Sequence, residues 1–184
     1  GIKSFITSNP KEILSSDGAI LPGVGSFPEA MNHINNLELP PALIEFISSG
    51  KPFMGICLGM QILFSQSDEF EKTAGLDIIH GFVQPLSRQD HIKLVPHVGW
   101  NKVYKNDSRE LPKIFDSIED SSHFYFVHSF YANPNSDDVV ATYTEYNNFK
   151  FCSSIAKDNL FASQFHPEKS GVDGLKLLEN FFVD

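Results

Sequence analysis

The clearest chemical feature of the sequence is a cysteine held between two glycines. In Phe53-Met54-Gly55-Ile56-Cys57-Leu58-Gly59-Met60-Gln61 an apolar run delivers Cys57 to a tight turn, and a helix starts directly after it. Gly55 and Gly59 stand at the G-x-nucleophile-x-G spacing of a nucleophile elbow. In so sharp a turn, side chains at those two positions would strike the neighbouring strand and helix. The backbone N–H groups and positive dipole end of a helix start favour a thiolate and can hold an oxyanion. Most free cysteines are small buried hydrophobes, and Cys152, in Phe151-Cys152-Ser153, is read as one of them. At Cys57 the strand, the two glycines and the helix reverse that balance.

A thiol nucleophile needs a base, and the base needs a group to orient it. Histidines occur at 33, 80, 91, 97, 123, 128 and 166. His166, in Gln164-Phe165-His166-Pro167-Glu168-Lys169, directly follows a predicted strand, and Pro167 fixes the backbone so that Glu168 lies two positions on. A carboxylate there can hold the imidazole through its other nitrogen. His97 and His128 also end apolar stretches and are rivals for the base, but both read better as structural histidines bonded to backbone. No His, Cys, Asp or Glu set has metal-ligand spacing, so no metal or other cofactor is expected. Pro22-Gly23-Val24-Gly25 is too short for a phosphate-binding Walker loop and lacks its lysine, yet it can present backbone N–H groups to a developing negative charge.

The elements that must position these residues follow from pattern. Gly18-Ala19-Ile20-Leu21 reads as a buried strand stopped by the glycine loop. Ser26-Phe27-Pro28-Glu29 has capping-box spacing, with Ala30, Met31, Ile34 and Leu37 at helical intervals after it. A second helix is predicted from about Pro40 to Gly50, with Leu43, Ile44 and Ile47 on one face. Pro52 to Ile56 is the next strand, and Leu58 to Phe64 a further helix. Short strands separated by helices predict a parallel sheet covered on both faces. Residues 124–127, 139–143, 150–155 and 160–165 are β-rich, and turn-prone Asn147-Asn148 and Asp158-Asn159 separate the last three. These are expected to be antiparallel strands beside the parallel sheet. Leu175, Leu177, Leu178, Phe181 and Phe182 predict a closing helix that packs on the core.

Composition narrows the class of function. The chain has 184 residues, 41% hydrophobic, and a formal net charge of −9. That length suits one domain, spanning 1–184. The acidic balance gives no electrostatic footprint for nucleic acid or an anionic membrane. Two cysteines exclude a disulfide-rich scaffold and a four-cysteine zinc site. No apolar run approaches the ~18 residues of a membrane span, and Gly1-Ile2-Lys3-Ser4-Phe5 does not open a signal peptide. The expectation is a soluble cytoplasmic protein.

Taken together, Gly55 to Gln61 and Phe165-His166-Pro167-Glu168 resemble the nucleophile and His-x-Glu segments of the class I, triad-type glutamine amidotransferases. Leu21 to Phe27, Pro96-His97-Val98-Gly99-Trp100-Asn101 and Phe124 to Ser129 are similar to the branch that serves a (βα)8-barrel synthase in histidine biosynthesis. The resemblance covers essentially the whole chain. It implies an α/β fold, a three-layer α/β/α sandwich with a mostly parallel sheet and added antiparallel strands, and hydrolysis of L-glutamine to glutamate and ammonia. It also implies Cys57 as nucleophile, His166 as base and acid, and Glu168 as orienting carboxylate. Backbone N–H groups of Leu58 and Val24 would form the oxyanion hole, the second after reorientation of the Pro22–Gly25 strand. Gly25, Gln61, Ser129 and Phe130 would hold the amino-acid end of the substrate. Trp100, Tyr125 and Lys169 match positions facing the barrel subunit, through which ammonia would pass. Relatives carry a strand and helix ahead of the segment matching Gly1 to Pro10, so a sheet with an uncovered groove is expected. Phe130 stands where many relatives have Tyr. Alternatives of the same fold are a glutaminase serving a sugar amidotransferase of surface-polysaccharide synthesis, a cysteine peptidase, and an inactive regulatory subunit.

Overall fold

Successive residues of the central strands go to opposite sides of one sheet, and helices cover each side. The structure is a computed structural model that describes residues 3–89, 92–108, 110 and 112–183; His91 lies outside them. Among the described residues the strands are β1 (Ala19–Gly23), β2 (Phe53–Cys57), β3 (Phe64–Ser67), β4 (Thr73–Ala74), β5 (Ile79–Pro85), β6 (His97–Lys102), β7 (Tyr104–Lys105), β8 (His123–His128), β9 (Phe130–Pro134), β10 (Val140–Tyr146), β11 (Phe149–Lys157) and β12 (Leu160–Ser163). The helices are α1 (Pro10–Ser15), α2 (Phe27–Asn36), α3 (Leu39–Ser48), α4 (Leu58–Gln61) and α5 (Gly171–Val183).

The main sheet has the order β1-β2-β12-β11-β10-β7; a second has β4-β3-β5-β9, and β6 pairs with β8 apart from both. β1, β2 and β12 run parallel, while β11, β10 and β7 continue antiparallel. The sheet is therefore mixed, and two expectations change. Leu160–Ser163 joins the parallel part, against β2, because the tight turn at Asp158-Asn159 returns the chain beside β11 with β2 on its other side. Residues 123–128 leave the main sheet altogether and form a ribbon with β6.

Period-two alternation explains the layers. Phe53, Leu160, Ala162 and Ile155 pack on one side with Phe27, Met31 and Ile34 of α2 and Leu39, Leu43 and Phe46 of α3. Met54, Ile56, Phe161 and Ala156 pack on the other with Leu177 of α5, flanked by Leu178, Phe181 and Phe182. The α/β class and the three layers are as expected. β1 forms one edge of the main sheet, and its Ile20 is half exposed.

Local details differ from the sequence reading. The capping box at Ser26 does not form: Ser26 Oγ donates to Glu29 Oε2 at 2.9 Å, and the Phe27 N–H is instead capped by Glu69 Oε2 at 2.7 Å. The α3 face is Leu39, Ala42, Leu43 and Phe46, while Ile44 points outward. Likewise Leu175 of α5 faces solvent, because Leu177 is the residue turned to the core and Gly174 lies against Pro167 and Ser170. The predicted 58–64 helix stops at Gln61, since Phe64 is drawn into β3 beside Ile79 of β5.

The β6–β8 ribbon is pinned by two buried histidines opposite each other in register. His128 Nδ1 lies 2.8 Å from the Phe130 carbonyl, His128 Nε2 lies 3.0 Å from His97 Nδ1, and His97 Nε2 lies 3.3 Å from Asn101 Nδ2. Because a carbonyl only accepts, His128 carries its proton on Nδ1, so its Nε2 accepts from His97 Nδ1–H. Burial pulls His97 down to about 4, and burial with repulsion from His97 pulls His128 down to about 3. Both lie below the ordinary histidine value, so the unfolded chain binds protons that the folded chain refuses. Their contribution to stability is complete above about pH 6.5 and is lost as pH falls toward 4. The melting temperature is therefore expected to drop less between pH 7 and pH 5 in His97→Gln than in the wild type. Equal drops in thermal melts at the two pH values would contradict this.

Candidate active site

The turn at Cys57 is fixed by what stands on either side of it. β2 is buried along its length, with β1 parallel on one side and β12 parallel on the other; Gly23 is the register partner of Cys57, and Ser163 that of Ile56. Cys57 adopts φ 54°, ψ −110°, a conformation that costs a residue with a Cβ ~1–3 kcal/mol. The chain then passes so close to β1 that a Cβ on Gly59 would lie 1.8 Å from the Leu21 carbonyl oxygen. A Cβ on Gly55 would lie 2.8 Å from the Gly59 oxygen. Both glycines are required sterically, as their spacing suggested. The helix that follows is only four residues long, so the main-chain group acting on the sulfur is the Leu58 N–H rather than a long helix dipole.

The sulfur is buried, yet its neighbours are polar. Gln164 Nε2 lies 3.7 Å away, and the Val127 carbonyl 3.9 Å. Burial pushes the thiol up to about 11, against the Leu58 N–H and the Gln164 amide, which pull it down. Glu168 adds a smaller upward push and Lys169 a smaller downward one. At neutral pH Cys57 is therefore a thiol, and a base must remove its proton. Cys152 is also buried and raised by burial, and its thiol bonds to the Ser154 carbonyl at 3.4 Å.

His166 Nδ1 lies 2.8 Å from Glu168 Oε1. The opposite nitrogen, Nε2, is buried and has no hydrogen-bond partner among the described residues. The thiol and the imidazole are thus not hydrogen bonded to each other: the sulfur faces Val127 O and Gln164, while Nε2 is left open. The backbone around the ring is tightly held. His166 N donates to Tyr125 O at 2.9 Å, Ser170 Oγ donates to His166 O at 2.6 Å, and Tyr125 N donates to Ser170 Oγ at 2.9 Å. The rival histidines 97 and 128 are bonded in the ribbon and do not have an open nitrogen of this kind.

Gln61 is buried, and its Nε2 donates to Phe130 O at 3.0 Å and to Gln164 Oε1 at 2.9 Å. The Phe130 carbonyl is thereby shared between Gln61 and His128, and the Ser129 carbonyl accepts from Leu86 N at 2.9 Å. Val24 follows the end of β1 and is 82% exposed, and Gly25 has φ +97°. His97 and His128, rivals for the base by their sequence, are structural: His128 is bonded to backbone as expected, while His97 is bonded to His128. Gln164 was not singled out for this site; a lone carboxamide in the apolar run Leu160 to Phe165 was the available signal.

On the outer face of the ribbon, Trp100 and Tyr125 are register partners with ring centroids 6.3 Å apart in an edge contact. Trp100 is 56% exposed, the Tyr125 ring lies 6.5 Å from that of His166, and Lys169 is exposed three residues after His166. An open cleft of about 450 Å³ starts at Trp100 and continues to Asp120, Ser170 and Asp173. Among the described residues no group of three or more His, Cys, Asp or Glu is placed to hold a metal ion.

The arrangement suits thiol-dependent acyl transfer, and comparison with known proteins agrees in family. The family description "Glutamine amidotransferase class-I" matches residues 3–184. The chain is 44% identical to the imidazole glycerol phosphate synthase subunit HisH of Pyrococcus furiosus, covering 98% of this chain and 88% of the relative. It is 48% identical to the subunit of the same name from Methanocaldococcus jannaschii, covering 97% and 86%. Among solved structures it superposes on a glutamine amidotransferase with TM-score 0.70 at 14% identity, covering 98% and 87% of the two chains. The acivicin-bound glutaminase domain of Trypanosoma brucei CTPS gives 0.63 at 18% identity, covering 94% and 73%. The likeness to the solved structures is one of fold; the sequence relationships carry further, and by them the chain belongs to the class-I glutamine amidotransferase family.

Proposed function

We propose that this chain is the glutaminase subunit of an imidazole glycerol phosphate synthase, a cytoplasmic enzyme of histidine biosynthesis. Two observations support the mechanism: the strained bend of Cys57 at the carboxyl end of β2, and the His166–Glu168 pair, 2.8 Å apart. His166 Nε2 takes the thiol proton, and the sulfur attacks the side-chain amide carbon of L-glutamine. The resulting oxyanion is held by the Leu58 N–H and, once the Pro22–Gly25 segment reorients, by the Val24 N–H. His166 returns its proton to the leaving nitrogen, and ammonia departs as the tetrahedral intermediate collapses to a thioester. Water, deprotonated by His166, then releases glutamate and the free thiol. Glu168 keeps Nδ1 protonated and the ring in register through both halves. Gly25, Gln61, Ser129 and Phe130 surround the place for the amino-acid end of the substrate.

The partner is a (βα)8-barrel subunit in a heterodimer, docked over Trp100, Tyr125 and Lys169, which uses the ammonia to make imidazole glycerol phosphate and AICAR from its own substrate. Similarity to subunits named HisH favours this reading over a sugar amidotransferase.

Glutamine hydrolysis by the chain alone is expected to be slow and to rise strongly with the liganded barrel subunit. Cys57→Ala should lower the stimulated rate by about 10⁴-fold or more, and full turnover in that variant would remove Cys57 from the chemistry. Trp100→Ala and Lys169→Ala change exposed side chains, so stability should stay within about 0.5 kcal/mol of the wild type, while stimulation by the barrel falls. Unchanged stimulation in both would take these residues out of the interface.

A further inference from the structure

Gln164 is fully buried in a run that otherwise holds Phe161, Ala162, Ser163 and Phe165. A carboxamide in such a place is costly unless its polar atoms find partners. Its main-chain N–H donates to Ser153 O at 2.9 Å. Its side chain spans the two residues most closely tied to the site: Oε1 lies 2.9 Å from Gln61 Nε2, and Nε2 lies 3.7 Å from Cys57 Sγ.

Which end of the amide faces the sulfur follows from the neighbouring bonds. The Phe130 carbonyl can only accept, so the Gln61 group 3.0 Å from it is the NH2. That same NH2 needs an acceptor on Gln164, which places Oε1 there and leaves the Gln164 NH2 for Cys57. The Phe130 oxygen also accepts from His128 Nδ1 at 2.8 Å, and His128 in turn accepts from His97. One main-chain oxygen thus orients two amides and two imidazoles. Had the Gln164 amide been reversed, its oxygen would accept from S–H and favour the thiol.

We propose that Gln164 is a further residue of the nucleophile's site, whose Nε2–H donates to Cys57 Sγ, fixes the sulfur's position and favours thiolate over thiol. The inference rests on the reading of Cys57 as nucleophile and adds the residue that prepares it. Gln164 and the Leu58 N–H act together as donors against the burial of the sulfur. Two carboxamides make the connection between the Phe130 carbonyl and the reacting atom, with no charged group in the chain.

The test is the pH dependence of Cys57 alkylation by iodoacetamide, located by peptide mass spectrometry with Cys152 as internal comparison. Gln164→Met should shift the profile to higher pH and slow alkylation at neutral pH by about tenfold, the effect of one hydrogen bond to a charged group. Gln164→Glu should shift it further, because a carboxylate beside the sulfur opposes a second negative charge. Superimposable profiles for the wild type and Gln164→Met would overturn the proposal. A second measurement needs no change at 164: the side-chain amide signal of Gln164 in ¹⁵N-labelled wild-type protein should follow the thiol titration and lose that dependence in Cys57→Ala. A signal insensitive to the titration would equally overturn it. Neither readout depends on glutamine turnover, so persistent turnover in Cys57→Ala would refute the hydrolytic reading while leaving these outcomes in force.

Discussion

The closeness of the Leu21 carbonyl to Gly59 is the constraint on which the site depends. With no room for a Cβ between them, the chain can turn directly off the end of β2 and lie against β1. That turn is what forces Cys57 into its positive-φ bend, and the burial of β2 between β1 and β12 holds the strain in place. Parallel pairing then does the rest. Because β1, β2 and β12 run the same way, their carboxyl ends meet at one edge, bringing together Val24, Cys57 and the segment that ends in His166. Functional residues gathered outside the carboxyl ends of parallel strands are the general habit of open α/β sheets.

Electrostatics sets the protonation of the nucleophile in this geometry. Burial keeps the thiol protonated, and among the described residues His166 Nε2 has no hydrogen-bond partner. Tyr125 links this quiet centre to the outer surface, since its main-chain groups hold His166 and Ser170 while its ring meets Trp100. A barrel subunit seated on Trp100, as proposed above, would reach through the Tyr125 ring the strand that fixes the base. In the proposed function, that mechanical continuity is how the partner's state reaches the thiol.

Much of this was legible in the sequence because the signals are local. Gly55 and Gly59 announced a crowded turn, and His166-Pro167-Glu168 announced a ring with a carboxylate beside it. Asn147-Asn148 and Asp158 do take positive φ at the hairpin turns. What escaped depends on contacts between distant segments. Glu69 caps the Phe27 amide in place of the nearby Ser26, and Phe64 leaves a helical pattern to pair with β5. Leu160–Ser163 runs parallel because β2 lies beside it, which no local period reveals. The buried chain through His97, His128, Gln61 and Gln164 escaped for the same reason, since its polarity is set by a single carbonyl at Phe130.

The central claim is that the bend presents one sulfur, that of Cys57, to the side-chain amide of glutamine. A chloroketone analogue of glutamine, applied to the chain with its barrel subunit and followed by peptide mass spectrometry, tests this directly. The account predicts one equivalent of label on Cys57, none on Cys152, loss of turnover in step with labelling, and protection by glutamine. Turnover that survives full labelling of Cys57, or is lost with Cys57 unlabelled, would contradict it.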